Sequence, residues 1–211
     1  MNSESNLIKT IIIDLGGVYF THGSNLAIEK IANIFNISDY RMIIDFFNDI
    51  TGQPGNDLRL GLITMDEFES KFIKTFKIDV KYKKHIRNIW FSSYVPHYRM
   101  EEVLKQLKEY RLIIFSGNVK ERIDYLNKRY NFLKYFNDAL FSFDVQKNKG
   151  DQEFYEILLD YINCEPEQAI IIDDAKEVLK TAEHFGFNGI QYYYTEYLVD
   201  QFNHYNIKIE I

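Results

Sequence analysis

The chain has 211 residues, 46% of them hydrophobic, and a formal net charge of −6 at pH 7. This length fits one domain, or one domain that carries an insertion, and the acidic charge argues against nucleic acid as a partner, since nucleic-acid-binding proteins are usually basic. The lone Cys164 excludes an internal disulfide and fits a reducing compartment. Residues 1–8 lack the apolar stretch of a signal peptide and no apolar run is long enough to span a bilayer, so we expect a cytoplasmic protein with no membrane partner.

The first predicted strand is the apolar run 10–13, which ends at Asp14. A second run of the same kind, 169–172, ends at Asp173 and Asp174. Short β-branched runs without polar alternation are typical of parallel strands buried on both faces, and ligands of such sheets bind beside the carboxyl ends of the strands. We therefore expect the three acids at the mouth of one crevice. Carboxylates packed so closely repel one another unless a cation lies among them, so the pattern predicts a metal site.

Residues 21–93 carry helical periodicities and little strand signal. Four helices are predicted there, at about 26–34, 42–47, 64–76 and 81–90, with the third opened by the capping box that begins at Thr64. A linker at 52–55 separates the second helix from the third. An insert directly after the first strand favours a small helical cap over the crevice, and the alternative is one more helical layer on the sheet.

Strands and helices alternate in the second half of the chain. The predicted strands are 112–115, 139–141, 169–172 and 189–193, and the predicted helices are 101–110, 120–130, 151–161 and 176–185 with a stop at Gly186. This alternation predicts an α/β fold with a Rossmann-like, doubly wound parallel sheet as its core. We assign residues 1–20 and 94–211 to the core domain and residues 21–93 to a helical cap domain inserted after the first strand.

Four segments at predicted strand or loop ends follow one another in a specific order. They are Asp14–Val18, Ile113–Asn118, Lys149–Tyr155 and Ile171–Asp174. This order resembles the haloacid dehalogenase (HAD) superfamily of hydrolases, which use an aspartate nucleophile, and the resemblance covers nearly the whole chain. The insert is similar in position to the helical cap of the sugar-phosphatase and haloacid-dehalogenase branches of that superfamily.

The resemblance implies a nucleophile and a magnesium site. Asp14 would attack a phosphate ester and form an aspartyl-phosphate, which divides one difficult displacement into two easier ones. Its metal ligands would be Asp14, the backbone carbonyl of Gly16, and Asp174, with Asp173 bound directly or through water. Mg²⁺ suits such a set of few carboxylates, water and substrate phosphate. The expected substrate is a small phosphorylated metabolite, and the expected assembly is a monomer or a homodimer.

The resemblance also implies a set of phosphate-binding groups. Lys149 would neutralise charge on the phosphoryl group and hold the Asp14 side chain. Ser116 and the backbone amides of Gly117 and Asn118 would donate hydrogen bonds to the phosphoryl oxygens, because fixed donors stabilise charge as it develops.

Each of these residues also has a structural interpretation. Asp174 taken alone could cap the helix that follows it. Lys149 taken alone could be a solvated surface lysine, and Ser116 could be a turn residue. Lys147 lies out of register with the motif, and we assign no role to Asp144.

The chain departs from the phosphatase pattern at Gly16, where the family usually has a second aspartate that protonates the leaving oxygen and then activates water. General acid–base help of this kind contributes about 10²–10⁴ in rate. Three interpretations stay open. The substrate could have a good leaving group, as in some members of the sugar-phosphatase branch that also have Gly at this position. Otherwise His22 or Tyr19 could replace the acid, or the protein could bind its ligand without turnover. A haloacid dehalogenase is a fourth, weaker interpretation, because that chemistry needs no Mg²⁺ and the paired acids favour phosphoryl transfer.

Two further features concern the surroundings of the crevice, namely the loop after the motif lysine and the side chains of the cap. Gly150 stands where the family usually has proline after the motif lysine, which loosens that loop. We expect substrate choice to come from cap side chains, with Arg59, Asn56, Trp90 and Tyr94 as candidates.

Overall fold

The computed structural model describes residues 7–48 and 50–211. Within them, five parallel strands form one sheet in the order β3-β2-β1-β4-β5. The strands are β1 (Thr10–Ile13), β2 (Arg111–Ser116), β3 (Asp138–Phe141), β4 (Ala169–Asp173) and β5 (Asn188–Gln191). From β1 the chain builds one side of the sheet through β2 and β3 and then returns to add β4 and β5 on the other side. The order reverses between β1 and β4, which is where ligands bind in folds of this type.

Both faces of the sheet are buried, which explains why its strands lack polar alternation. Ile12, Ile113 and Ile171 point to one face and pack with an apolar cluster on that side, whereas Ile11 and Ile13 belong to the cluster on the other side. All five side chains are at most 1% exposed. The α/β fold with a Rossmann-like, doubly wound parallel sheet is confirmed.

Among the described residues, five α-helices lie in the segment 21–93, after β1. They are α1 (Gly23–Phe35), α2 (Tyr40–Phe47), α3 (Pro54–Arg59), α4 (Met65–Thr75) and α5 (Lys83–Ser92). Their shared core is aromatic, with edge-on contacts that join Phe46 and Phe47 to Phe72 and Trp90. Aromatic rings favour such offset or edge-to-face contacts.

The predicted linker at 52–55 is wrong in part, because α3 begins inside it. Pro54 is the first residue of that helix, and its fixed φ angle and missing N–H suit the first turn of a helix. The predicted capping box is confirmed: the Thr64 side chain accepts the Glu67 N–H, and the Glu67 carboxylate accepts the Thr64 N–H at 2.7 Å.

Of the remaining α-helices, the first precedes β2 and the others follow it. They are α6 (Met100–Gln106), α7 (Lys120–Tyr130), α8 (Ser142–Val145), α9 (Gln152–Ile162), α10 (Lys176–His184) and α11 (Thr195–Asn203). The predicted helix 101–110 ends earlier than expected, at Gln106, and the predicted strand 189–193 ends at Gln191. The helices α8 and α11 were not predicted. Gly186 follows α10 with a φ of +86°, as predicted for a glycine that stops a helix.

The chain leaves the sheet and returns to it at two adjacent segments. The Thr21 N–H donates to the Val95 carbonyl at 2.9 Å, and Phe20 forms a bridge with Pro96. We call the helical segment that contains α1–α5 the cap, whereas the division into a core domain of 1–20 and 94–211 and a cap domain of 21–93 stays a prediction. Among the residues described, no helix combines the length and apolar character needed to cross a bilayer.

Candidate active site

Three carboxylates meet at the carboxyl ends of the two central strands. Asp14 follows β1 directly, and its N–H donates to the Ile172 carbonyl of β4 at 3.0 Å, which extends the ladder to the acid. Asp173 ends β4 and is 1% exposed, and Asp174 is the next residue. One oxygen from each of the three side chains lies within 4.8 Å of the others. The structure therefore brings the predicted metal-binding side chains together.

Lys149 lies between two of these acids. Its ammonium is 2.8 Å from Asp14 Oδ1 and donates to Asp173 Oδ2 at 2.5 Å. The loop that carries it is fixed to α9, since the Tyr155 hydroxyl donates to the Lys149 carbonyl at 3.0 Å. Burial alone would lower the pKa of Lys149, but the charges of Asp14 and Asp173 outweigh it and raise that pKa, so the side chain stays cationic.

The charges of this cluster do not balance without another cation. Burial and the Asp14 carboxylate raise the pKa of both Asp173 and Asp174. One ammonium faces three acids, and closely spaced carboxylates resist full ionisation unless a cation neutralises them. Hard oxygen donors in this number fit a cation such as Mg²⁺. The donor set is therefore suitable for the divalent ion that the sequence predicted.

The loop after β2 lies on the opposite side of Asp14. Gly117 and Asn118 line the same cavity as the acids, whereas Ser116 is 1% exposed and is not part of that lining. Ser116 Oγ instead accepts the Asn118 side-chain amide at 3.3 Å. The Asn118 N–H, predicted to bind phosphate, is already engaged, since it donates to Ser142 Oγ at 3.0 Å. Gly117 is the member of this loop whose surroundings are open: a Cβ there would meet no atom within 4 Å.

Two glycines after Asp14 differ in what they permit. Gly17 has a φ of +90°, and a Cβ there would lie 2.5 Å from His22 Cε1 and 2.8 Å from Asp174 Cγ, so this position requires glycine. Apart from the adjacent residues of the chain, the atom nearest to a Cβ at Gly16 would be Tyr94 Cε1, at 3.9 Å. The absence of a side chain at Gly16 is therefore not imposed by lack of space.

The two candidate replacements for the missing acid lie in different surroundings. His22 lines the cavity, and its Nε2 is 3.6 Å from Asp174 Oδ2. Tyr19 is 1% exposed and packs against the rings of Phe20 and Phe132. Burial raises the pKa of Tyr19 further. The suggestion that Tyr19 supplies a proton is wrong, because it does not reach the cavity.

The cavity measures about 330 Å³ and is bounded by both the sheet and the cap. Arg59 and Tyr94 line it, as predicted for specificity residues. The two other candidates do not: Trp90 is buried in the aromatic core of the cap, and buried Asn56 accepts the Asn148 side-chain amide at 2.7 Å. Charged and amide side chains dominate the lining, which favours a small polar ligand.

Sequence reasoning missed Arg122, which lines the cavity from α7. Its Nε donates to Asn118 Oδ1 at 2.8 Å, and its NH1 donates to the Tyr94 hydroxyl at 2.9 Å. One signal was available, because Arg122 lies one turn before the buried Leu126 on the apolar side of a predicted helix. Ser142 was also missed, and its hydroxyl donates to the Arg59 carbonyl of the cap at 2.6 Å.

Comparison with known proteins defines the class to which this fold and site belong. The family model described as haloacid dehalogenase-like hydrolase matches residues 20–191. The chain belongs to the haloacid dehalogenase-like hydrolase family. The matched span begins after Asp14, so the geometry of the acids stands as a separate observation.

Individual relatives agree with this class. The phosphorylated carbohydrates phosphatase of Thermotoga maritima is 26% identical over 151 residues, which are 69% of this chain and 67% of that protein. A predicted HAD-like family hydrolase from Porphyromonas gingivalis has a TM-score of 0.76 at 19% identity, with 94% of this chain and 97% of that chain covered. A HAD family enzyme from Bacteroides thetaiotaomicron, in complex with magnesium and inorganic phosphate, has a TM-score of 0.73 at 23% identity, with 87% and 93% covered. At these identities the two structures show the shared fold.

Proposed function

We propose that the protein is a Mg²⁺-dependent phosphatase that hydrolyses a small phosphorylated metabolite through an aspartyl-phosphate on Asp14. The observation that carries the proposal is the contact of Lys149 with both Asp14 and Asp173 beside a cavity of small-metabolite size. The activity named for the Thermotoga relative and the magnesium and phosphate in the Bacteroides structure support it.

Asp14, Asp174, Asp173 and the Gly16 carbonyl would hold the metal ion. When bound, Mg²⁺ neutralises the carboxylates and the substrate phosphate, so that an anionic nucleophile can approach an anionic ester.

The side chains of the chain itself divide the remaining work. Asp14 attacks phosphorus, and the bond between phosphorus and the ester oxygen breaks. Water then attacks the phosphorus, the bond between phosphorus and the Asp14 oxygen breaks, and the Asp14 carboxylate, inorganic phosphate and a proton that passes to solvent are released. Lys149 holds Asp14 in place and faces the phosphoryl oxygens as a cation, and the Gly117 N–H donates to one of those oxygens. Ser116, whose Oγ accepts the Asn118 side-chain amide, would hold Asn118 in this loop.

Gly16 limits the leaving groups that this site can handle. With no carboxyl group at that position, the leaving oxygen departs without a proton from the nucleophile loop. A sugar 1-phosphate or an acyl phosphate would tolerate that loss, which supports a substrate of the kind used by members of the sugar-phosphatase branch that also have Gly at this position. His22, which lines the cavity, is the remaining side chain that could supply a proton.

Hydrolysis of p-nitrophenyl phosphate tests the proposal. We expect turnover that requires Mg²⁺ and that Asp14→Asn abolishes. Asp124→Asn is the matched control, since Asp124 is an exposed residue of α7 away from the cavity. Turnover that survives Asp14→Asn, or that is unchanged by chelation of Mg²⁺, would contradict the mechanism.

A second candidate is a phospho-ligand-binding or regulatory protein with little or no turnover, and Gly16 is the observation that favours it. It predicts Mg²⁺ and phosphate binding by calorimetry without Asp14-dependent hydrolysis. A haloacid dehalogenase is the least supported alternative, and halide release from 2-chloropropionate in the absence of Mg²⁺ would reveal it.

A further inference from the structure

Arg122 is a buried cation without an anionic partner. Arg122 is 2% exposed, and its side chain forms no ion pair with any described residue. Its hydrogen-bond acceptors are both neutral, namely the Asn118 side-chain oxygen and the Tyr94 hydroxyl. Buried charges in proteins are normally paired or bound to a ligand of opposite charge, so this arrangement needs an explanation.

One nitrogen of the Arg122 guanidinium, NH2, has no hydrogen-bond acceptor among the described residues. Nε and NH1 have the two partners given above, whereas NH2 donates to no residue within the described part of the chain. NH2 is also not among the fully enclosed atoms that lack a partner, and Arg122 lines the cavity. The free edge of the guanidinium is therefore accessible from the cavity.

The surroundings of Arg122 disfavour its charge in the ligand-free protein. Burial lowers the pKa of Arg122 to about 10, and the positive charge of Arg59, which lines the same cavity, adds to the effect. The charge of Asp14 and the faces of Tyr94 and Trp90, whose ring centres lie 4.5 and 5.2 Å from the guanidinium carbon, compensate in part. An anion in the cavity would satisfy this charge in full, because guanidinium groups bind carboxylates and phosphates through paired N–H donors.

We propose that Arg122 binds a second anionic group of the substrate, so that the substrate class is a small metabolite that carries one phosphate at Asp14 and a carboxylate or a second phosphate at the cap end of the cavity. This inference rests on the proposed phosphatase function of the same site. Arg59 contributes to the same end of the cavity through its charge.

The alternative is a purely structural role in which Arg122 ties α7 to the cap through Tyr94. Phosphonates that cannot be hydrolysed separate the two roles. The probes are phosphonocarboxylates with one to three methylene groups, their neutral primary amides of the same shape, and propane-1,3-diphosphonate. Affinities are measured by calorimetry in the presence of Mg²⁺.

We expect at least one phosphonocarboxylate or the diphosphonate to bind wild type about tenfold or more tightly than its neutral counterpart, with propylphosphonate as the counterpart of the diphosphonate. That ratio should fall to near one in Arg122→Met. Tyr94→Phe, which removes the hydrogen bond to the cap but keeps the charge, should preserve it. Whichever probe shows the preference identifies the second group as a carboxylate or a phosphate.

The inference would be overturned if wild type bound the probes with a second anionic group, here called the charged tail, no more tightly than their neutral counterparts. This comparison uses wild type alone and does not depend on the folding of a variant. A preference that persists in a folded Arg122→Met would also overturn it. Aryl phosphate turnover separates the two proposals. Turnover without a tail preference overturns only the role of Arg122, whereas a tail preference without turnover supports that role and contradicts the phosphatase.

Discussion

The cavity has two walls of opposite charge that are built in different ways. The carboxylate wall consists of Asp14, Asp173 and Asp174, and the guanidinium wall consists of Arg122 and Arg59. The carboxylate wall is assembled by the backbone, because neighbouring parallel strands in register place their terminal residues side by side. The guanidinium wall is assembled by side chains from distant segments, and its geometry depends on tertiary packing.

This difference has a chemical consequence. The carboxylate wall would be neutralised by a cation, and Arg122 in the guanidinium wall is the group for which we propose an anionic partner. A substrate with Mg²⁺ at one end and an anionic group at the other satisfies both walls at once, which links the two proposals through charge.

The largest expected effect concerns the cation inside the carboxylate wall. Lys149→Met leaves Asp14 and Asp173 without their shared partner, and removal of one member of a buried ion pair costs about 3–5 kcal/mol. We expect a loss of this size in the free energy of unfolding, measured by chemical denaturation without Mg²⁺, with partial recovery when Mg²⁺ is added.

Lys147→Met is the matched control for that variant. Lys147 lies two residues earlier in the chain and pairs with exposed Glu153 at 3.4 Å, so we expect a loss below about 1 kcal/mol. Equal losses in the two variants would contradict a special role for Lys149.

The next effect concerns the acid that is missing at Gly16, a residue that lines the cavity. Gly16 faces open space up to Tyr94, so Gly16→Asp is expected to fold. It should raise kcat/KM for alkyl phosphates by about 10- to 100-fold, because kcat/KM reports formation of the aspartyl-phosphate, in which an alkoxide leaving group needs a proton. The value of kcat/KM for p-nitrophenyl phosphate should change far less, and an equal change with both substrates would argue against acid catalysis.

The origin of each wall explains what could be predicted from the sequence. The apolar runs that end at Asp14 and Asp173 predict two parallel strands, and the carboxyl ends of parallel strands lie at the same edge of the sheet. The carboxylate wall could therefore be predicted. Lys149 was found through its position in the motif. These predictions depend on local patterns and on a general property of parallel sheets.

The guanidinium wall could not be predicted in the same way. Arg122 contacts Tyr94, which is 28 residues away in sequence, and no local pattern encodes that distance. Trp90 and Asn56 were predicted to face the substrate, but the packing of the cap turned both away. The helix α3 was missed because Pro54 was interpreted as a loop residue although it also suits a first helical turn.

A smaller effect is expected from the titration of the carboxylate wall. Burial, together with the Asp14 charge, raises the pKa of Asp173 to about 6. Between roughly pH 4 and 6 the folded protein keeps a proton that the unfolded chain has released, so this group makes the free energy of unfolding fall as pH rises. Relative to Asp173→Asn, we expect metal-free wild type to lose on the order of 2 kcal/mol between pH 4 and pH 7. Denaturation in the presence of a chelator measures this, and a difference that does not vary with pH would refute it.

The smallest effect concerns the hydrogen bonds that hold the guanidinium wall. The Tyr94 hydroxyl lies 2.7 Å from Ser24 Oγ and accepts from Arg122 NH1 at 2.9 Å. Tyr94→Phe keeps the ring over the guanidinium but removes both bonds, so we expect a loss of about 1 kcal/mol in the free energy of unfolding. Tyr98→Phe provides the control, because Tyr98 is 80% exposed and its hydroxyl has no described partner. Identical stabilities for the two variants would mean that the charge and ring contacts of Arg122, rather than its hydrogen bonds, hold this wall in place.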